Sequence, residues 1–352
     1  MRVHVVRVET WTESIALTRP YAIAFQATDR VELGCVRVEL DDGTSGFGCA
    51  APVEEITGES FAACTAALMR ARELRGDDPR IQARLEAEFV ATPAARAAVD
   101  GAIHDAVGRK LGRPLVEVFG RAHKPLPTSV TIGIRSLADT LSEADEYLAR
   151  GFTILKIKIG EALEHDIERL ARLREHVGGA VILRADANVG YDVRAIERFC
   201  AETERFDIEF LEQPAPRALD DELRSLPASI RARLAADESL FDVSDALRLA
   251  REPHPFGIWN LKLQKCGGIA PARRIARFAE AHGIDVMWGC MDESVVGIAA
   301  ALHLAYHCPA TRYLDLDGSL DLARDPFRGG FALRDGVMHT LDATGLGVER
   351  NA

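Results

Sequence analysis

Two lysines, three carboxylates and a further lysine are spaced along the middle of the chain as the parts of one acid–base site would be. In Thr153-Ile-Leu-Lys156-Ile-Lys158-Ile-Gly160, a strand would point Lys156 and Lys158 to one side and Ile157 and Ile159 to the other. An edge strand guarded by lysines would show the same pattern. The residues after Gly160 argue otherwise. Ile167, Leu170, Leu173 and Val177 recur at helical spacing, so the strand opens a β–α unit. Two ammonium groups on one face lower each other's pKa, and a lysine that can lose its proton is a base.

Beyond Lys158, apolar runs end in charged residues at Asp186, Glu212, Asp237 and Lys262, at successive intervals of 28, 26, 25 and 25 residues. The order is base, three acids, base. These intervals match the length of a β–α unit in an eight-stranded barrel, where charged residues at the C-terminal strand ends converge on one central site. A single carboxylate at a strand end is usually solvated or ion-paired. Three packed together without a cation would cost roughly several kcal/mol in repulsion and desolvation. With no His or Cys beside them, they form a hard oxygen set suited to Mg²⁺ rather than zinc. A divalent ion flanked by Lys158 and Lys262 suits removal of a proton next to a carboxylate, with the metal stabilising the enediolate, an arrangement already known for enolases.

The elements that must position these groups can be counted. Residues 1–122 read as an α+β domain, with strands at Met1–Glu13 and Glu32–Leu40 and a helix from Pro93 to Lys110 bearing one apolar stripe of Ala95, Ala98, Val99, Ala102, Ile103 and Ala106. Two stretches, Thr18–Gln26 and Ala51–Gly58, read as loops that either lie on the surface or close over a site elsewhere. Pro125-Leu-Pro-Thr marks a boundary, and residues 123–318 supply eight strands. The first begins at Ser129 and contains Thr131, the seventh runs from Ile284 to Gly289, and the eighth from Arg312 to Asp317. Residues 319–352 offer no full helix and read as short strands returning to the first domain. The fold class is α/β.

Length and 47% hydrophobic content provide for a large core. A net charge of −11 argues against a nucleic-acid or anionic membrane surface and tolerates a cationic ligand. No apolar run reaches the roughly 18 residues of a membrane span, and the N-terminus lacks a signal-peptide core. Seven scattered cysteines without a Cys-x-x-Cys pair suggest a reduced, cytoplasmic protein. His303 and His307 stand four apart on a helix but lack a third ligand, so packing or hydrogen bonding is expected of them. Gly267-Gly268 reads as a tight turn into a helix.

Lys156-Ile-Lys158, Asp186-Ala-Asn188, Glu212-Gln-Pro214, Asp237-Glu-Ser239, Asn260-Leu-Lys262, Lys265-Cys-Gly-Gly268 and Asp315-Leu-Asp317 together resemble the enolase superfamily, muconate-lactonising subgroup, and within it the dipeptide epimerases. The resemblance spans nearly the whole chain. It implies a (β/α)7β modified TIM barrel with a capping domain built from the N-terminal and C-terminal segments, and one Mg²⁺ per subunit on Asp186, Glu212 and Asp237. It also implies that Lys158 and Lys262 face opposite sides of a dipeptide's C-terminal α-carbon, one abstracting and the other returning the proton, and that Lys156 holds the substrate carboxylate. Thr131 joins the substrate contacts. Asp315 and Asp317, two apart on a strand, share one face and would grip the dipeptide ammonium. A homo-oligomer is an expectation by analogy alone.

Two departures from the Ala-Glu epimerase pattern bear on the substrate. That branch carries an arginine in the loop where this chain has the neutral Gln26, and Cys290-Met291-Asp292 places an acid where the family contacts substrate. The expectation is a dipeptide with Lys or Arg side chains, read by Asp292, while Glu54, Glu55 and Glu293 either join that contact or face solvent. The alternatives are an Ala-Glu epimerase, a cycloisomerase or o-succinylbenzoate synthase-type lyase that keeps the enediolate but expels a leaving group, and a silent binding protein on the same scaffold.

Overall fold

The computed structural model describes residues 3–23 and 26–351; for residues 20–23, 26 and 27 it describes the backbone alone. Near the N-terminus, a long antiparallel hairpin, His4–Ile23 against Gln26–Leu40, carries Ser45–Ala50 on one edge and Gly76–Asp77 on the other. The stretch from Thr18 is therefore a continuation of the hairpin rather than the loop expected from sequence. Pairing slips between Ala16 and Tyr21, around Pro20, and resumes as Tyr21–Thr28. The proline interrupts the ladder and hides the alternation without ending the strand.

Helix Pro93–Lys110 lies on this sheet. The approach is so close that a Cβ at Gly48 would sit 1.8 Å from the Ala98 carbonyl oxygen. Its predicted stripe is buried, but so are Ala94, Ala97, Asp100, Gly101, Asp105 and Gly108 on other faces. Wedging between the sheet and the rest of the molecule explains this. Asp100 Oδ2 accepts the Ala270 N–H at 3.0 Å, while Asp105 accepts N–H groups from Phe47 at 2.9 Å and Leu346 at 2.7 Å. Replacing Gly48 with alanine is expected to cost about 1–3 kcal/mol through overpacking. Urea unfolding checks it, and an unchanged midpoint would contradict the close helix–sheet contact.

The barrel strands are Val130–Ile132, Ile154–Lys158, Ile182–Asp186, Ile208–Glu212, Leu234–Ala236, Ile258–Leu261, Asp285–Gly289 and Thr311–Asp315. They pair in parallel in chain order, and the ring closes where Thr128 bridges Leu314 and Ser129 N–H donates to the Leu314 carbonyl at 3.1 Å. Their buried Val, Ile and Leu side chains are what a sheet covered on its outer face by helices requires. Helix Leu163–Val177 buries Ile167, Leu170 and Leu173, as its spacing predicts. Asp237 and Lys262 lie one residue beyond their strands, and Asp317 two beyond its own.

Residues 319–351 contain short strands and no helix. Phe331–Arg334 pairs with Val337–Thr340, which pairs with Leu126–Pro127; further back, Leu322 bridges Leu17 and Gly345 bridges Pro114. Among the described residues, no helix is long and apolar enough to cross a membrane.

Candidate active site

Parallel pairing places Lys158 beside Asp186 and Asp186 beside Glu212 across three adjacent strands. All three expected metal carboxylates are buried, with Asp186 and Glu212 at 0% exposure and Asp237 at 1%. Neighbouring residues hold them in place. Asn260 donates to Glu212 Oε1 at 2.7 Å, and Gln213 Oε1 accepts the N–H groups of Asp237 at 2.8 Å and Ser239 at 3.1 Å.

Lysines meet these acids from three directions. Lys156 Nζ lies 3.1 Å from Asp186 Oδ2, 2.8 Å from Glu212 Oε2 and 2.8 Å from Asp315 Oδ2. Lys158 donates to Asp186 Oδ2 at 2.7 Å and to Asn188 Oδ1 at 3.0 Å. Lys262 Nζ lies 2.7 Å from Asp237 Oδ2, and Lys265 also pairs with Asp237. Burial pushes the Asp186 carboxyl up, but the Lys158 and Lys156 charges outweigh it and hold the group down at about 2. Glu212 goes the other way, raised to about 8 by burial and by the Asp186 charge.

Lys156 corrects one expectation. Lys158 was expected to lower its pKa; instead, although burial acts to lower it, Asp315, Glu212 and Asp186 together hold it well above the ordinary lysine value. Neighbours along the strand suggested repulsion, whereas neighbours across the sheet supply the dominant attraction.

Among the described residues, no three acidic, His or Cys side chains are already drawn into a metal cage, since ammonium groups lie between the carboxylates. The donor set nonetheless fits Mg²⁺. It consists of hard oxygens from three neighbouring strands, Glu212 Oε2 is met by the Lys156 ammonium at 2.8 Å rather than by a neutral donor, and the positions between these oxygens already attract positive charge.

Above this floor opens a cleft of about 350 Å³, lined by Lys156, Lys158, Lys262, Thr131, Cys290, Met291, Asp292, Asp315 and Asp317. Acidic side chains outnumber basic ones along its described wall. Asp315 is more engaged than expected: Oδ1 accepts from Ser129 Oγ at 2.6 Å while Oδ2 faces Lys156. Asp317 Oδ2 accepts the Thr131 N–H at 2.7 Å, and burial with the Asp315 charge raises its carboxyl to about 7. Both stretches singled out in the sequence reach the cleft, the hairpin through Arg19 and the other through Val53, Glu54 and Glu55, where the expected loop contains the one-turn helix Glu54–Thr57. The Gln26 side chain lies outside the described residues. Glu293 does not line the cleft: it is 2% exposed and turned toward Gln264.

Some site residues went unassigned in the sequence. Asn188, Asn260 and Lys265 stand inside the quoted motifs, so their signal was present. Arg19 stands in the singled-out Thr18–Gln26 stretch, whereas Glu143, its ion-pair partner at 2.8 Å on the cleft wall, and Ser129 had no signal. His303 Nδ1 accepts from the Val116 N–H at 2.9 Å and burial lowers its pKa to about 3, while His307 bonds the Gly120 carbonyl at 2.9 Å; both serve packing.

A closed parallel barrel with acids on neighbouring strand ends and lysines on facing ones defines a metal-assisted proton-transfer enzyme. Residues 139–352 match the family described as enolase C-terminal domain-like, and residues 5–120 match the mandelate racemase / muconate lactonizing enzyme N-terminal domain. The chain belongs to the mandelate racemase / muconate lactonizing enzyme family of the enolase superfamily. It is 51% identical over 347 residues to an L-Lys-D/L-Arg epimerase of Methylococcus capsulatus, covering 97% of this chain and 98% of the relative. It is 32% identical over 356 residues to an L-Ala-D/L-Glu epimerase of Bacillus subtilis, covering 98% and 96%. A crystal structure of the Methylococcus capsulatus dipeptide epimerase with Mg and L-Arg-D-Lys superposes with a TM-score of 0.94 at 51% identity, covering 98% of this chain and 99% of that one.

Proposed function

We propose that the protein is a Mg²⁺-dependent dipeptide epimerase that inverts the C-terminal α-carbon of dipeptides carrying Lys or Arg side chains. The observation that carries the reaction is the placement of Lys158 at the end of the second strand and Lys262 one residue beyond the sixth of eight, across the cleft from one another. The 51% identity to the L-Lys-D/L-Arg epimerase and the surplus of acids along the cleft support the cationic substrate. Seven unpaired cysteines support a reducing compartment such as the cytoplasm.

Held by Asp186, Glu212 and Asp237, Mg²⁺ supplies positive charge that stabilises the substrate carboxylate as it takes on enediolate character. Lys156 adds a fixed positive charge beside the same carboxylate. One of Lys158 and Lys262 removes the α-proton and the other delivers a proton to the opposite face, which inverts the centre. Asp315 and Asp317 attract the dipeptide ammonium, and Asp292 the cationic side chain. A lyase acting on a substrate without an amine would gain nothing from Asp315 and Asp317.

A mass-spectrometric screen of L,L-dipeptides in D2O with Mg²⁺ tests the reading. Label on Lys- and Arg-containing dipeptides is expected; label centred on Ala-Glu would discard the cationic pocket, and no label at all the epimerase reading. Asp292→Asn is expected to lower kcat/KM for Arg-Lys by about tenfold, the scale of one charge-assisted hydrogen bond, while Ala-Ala stays within about twofold. Equal losses would remove Asp292 from substrate choice.

A further inference from the structure

Gln264 lies two residues beyond Lys262, on the short helix Leu263–Cys266, and is 1% exposed. A buried amide without partners is costly, and this one is bonded to groups from two other parts of the chain. Its Oε1 accepts the Ala51 N–H at 3.1 Å. Its Nε2 donates to the Cys49 carbonyl at 3.2 Å and to Glu293 Oε2 at 2.6 Å. Through its other oxygen, Glu293 accepts the Met291 N–H at 3.2 Å. One side chain thus joins the loop carrying Lys262 to the loop that begins at Ala51 and, through Glu293, to Cys290–Asp292. Val53, Glu54 and Glu55 line one wall of the cleft, and Cys290, Met291 and Asp292 another.

The amide suits this place because it accepts and donates at once. It serves a peptide N–H and a peptide carbonyl of one extended segment, and its second hydrogen reaches the carboxylate. A glutamate would set two carboxylates against each other, and a leucine would leave three polar groups without partners. We infer that Gln264, acting through Glu293, is a positioning residue that fixes both loop walls relative to Lys262 and thereby sets which dipeptide side chains the cleft accepts. The effect on substrate choice rests on the epimerase reading; the effect on the loops does not.

The test compares wild type, Gln264→Leu, Gln264→Glu and the swap Gln264→Glu/Glu293→Gln, using amide hydrogen exchange and steady-state kinetics with L-Arg-L-Lys and L-Ala-L-Ala. In Gln264→Leu, segments 49–56 and 290–293 are expected to exchange at least about tenfold faster, with no change in strand Thr311–Asp315. KM for Arg-Lys should rise about tenfold with kcat within about threefold, and the swap should recover part of the loss by restoring a donor opposite an acceptor. Unchanged exchange in both segments overturns the inference, as does an equal loss of kcat/KM on both dipeptides. If wild type turns over no dipeptide, the epimerase reading fails by itself, and the exchange measurement still decides whether Gln264 fixes the loops.

Discussion

Replacing either Lys158 or Lys262 with alanine is expected to lower epimerisation by about 10²–10⁴-fold, the usual contribution of a positioned acid–base group, and to leave different residual chemistry in the two variants. The proposed reaction has each lysine, from opposite sides of the ring, reach one face of the α-carbon. With Lys262 absent, Lys158 still exchanges the α-hydrogen of the stereoisomer that presents its hydrogen to Lys158, but no group returns a proton from the other side. Lys158→Ala should show the complementary pattern. The measurement is α-deuterium incorporation into each pure stereoisomer in D2O, read separately from optical inversion. Two variants that both exchange both isomers would show that another group handles the proton and would end the two-lysine account.

Removal of divalent metal has the second large expected effect. Chelation should reduce exchange and inversion by about 10³-fold or more, several kcal/mol of lost charge stabilisation at the developing enediolate, and Mg²⁺ should restore both. Binding itself supplies a readout apart from catalysis, because a ligand that favours the folded state raises the unfolding temperature with concentration. Glu212→Gln should abolish that Mg²⁺-dependent rise. The substitution also leaves Lys156 with two carboxylate partners, Asp186 and Asp315, in place of three. Two carboxylates still face the Lys156 ammonium, so the substitution should cost less than the ~3–5 kcal/mol of stranding a buried charge without a partner. A Mg²⁺-dependent rise equal to that of the wild type would take Glu212 out of the metal site.

The barrel was legible because its signal is local and repeated. Each apolar run is short, each is followed by a helix-length segment, and the near-constant interval fixes where every charged strand end falls. The hairpin was less legible, since Pro20 breaks the alternation while backbone pairing carries the strand past it. The second buried face of Pro93–Lys110 was missed because alanine, glycine and a paired aspartate leave little amphipathic contrast.

What the sequence by itself determined is the chemistry: which side chains stand at strand ends, on which side of each strand, and in what order around the ring. Strand parity and the β–α interval are properties of neighbouring residues, so the chain states them directly. Only the tertiary structure decided how those charges are shared and what stands over them. Lys156 is held by three carboxylates from other strands, Glu293 turns from the cleft to Gln264, and Arg19 meets Glu143 across 124 residues of chain. These contacts arise when closure of the ring and docking of the N-terminal sheet bring remote groups to hydrogen-bonding distance. Their electrostatic energy depends on distance and burial, which spacing along the sequence does not encode.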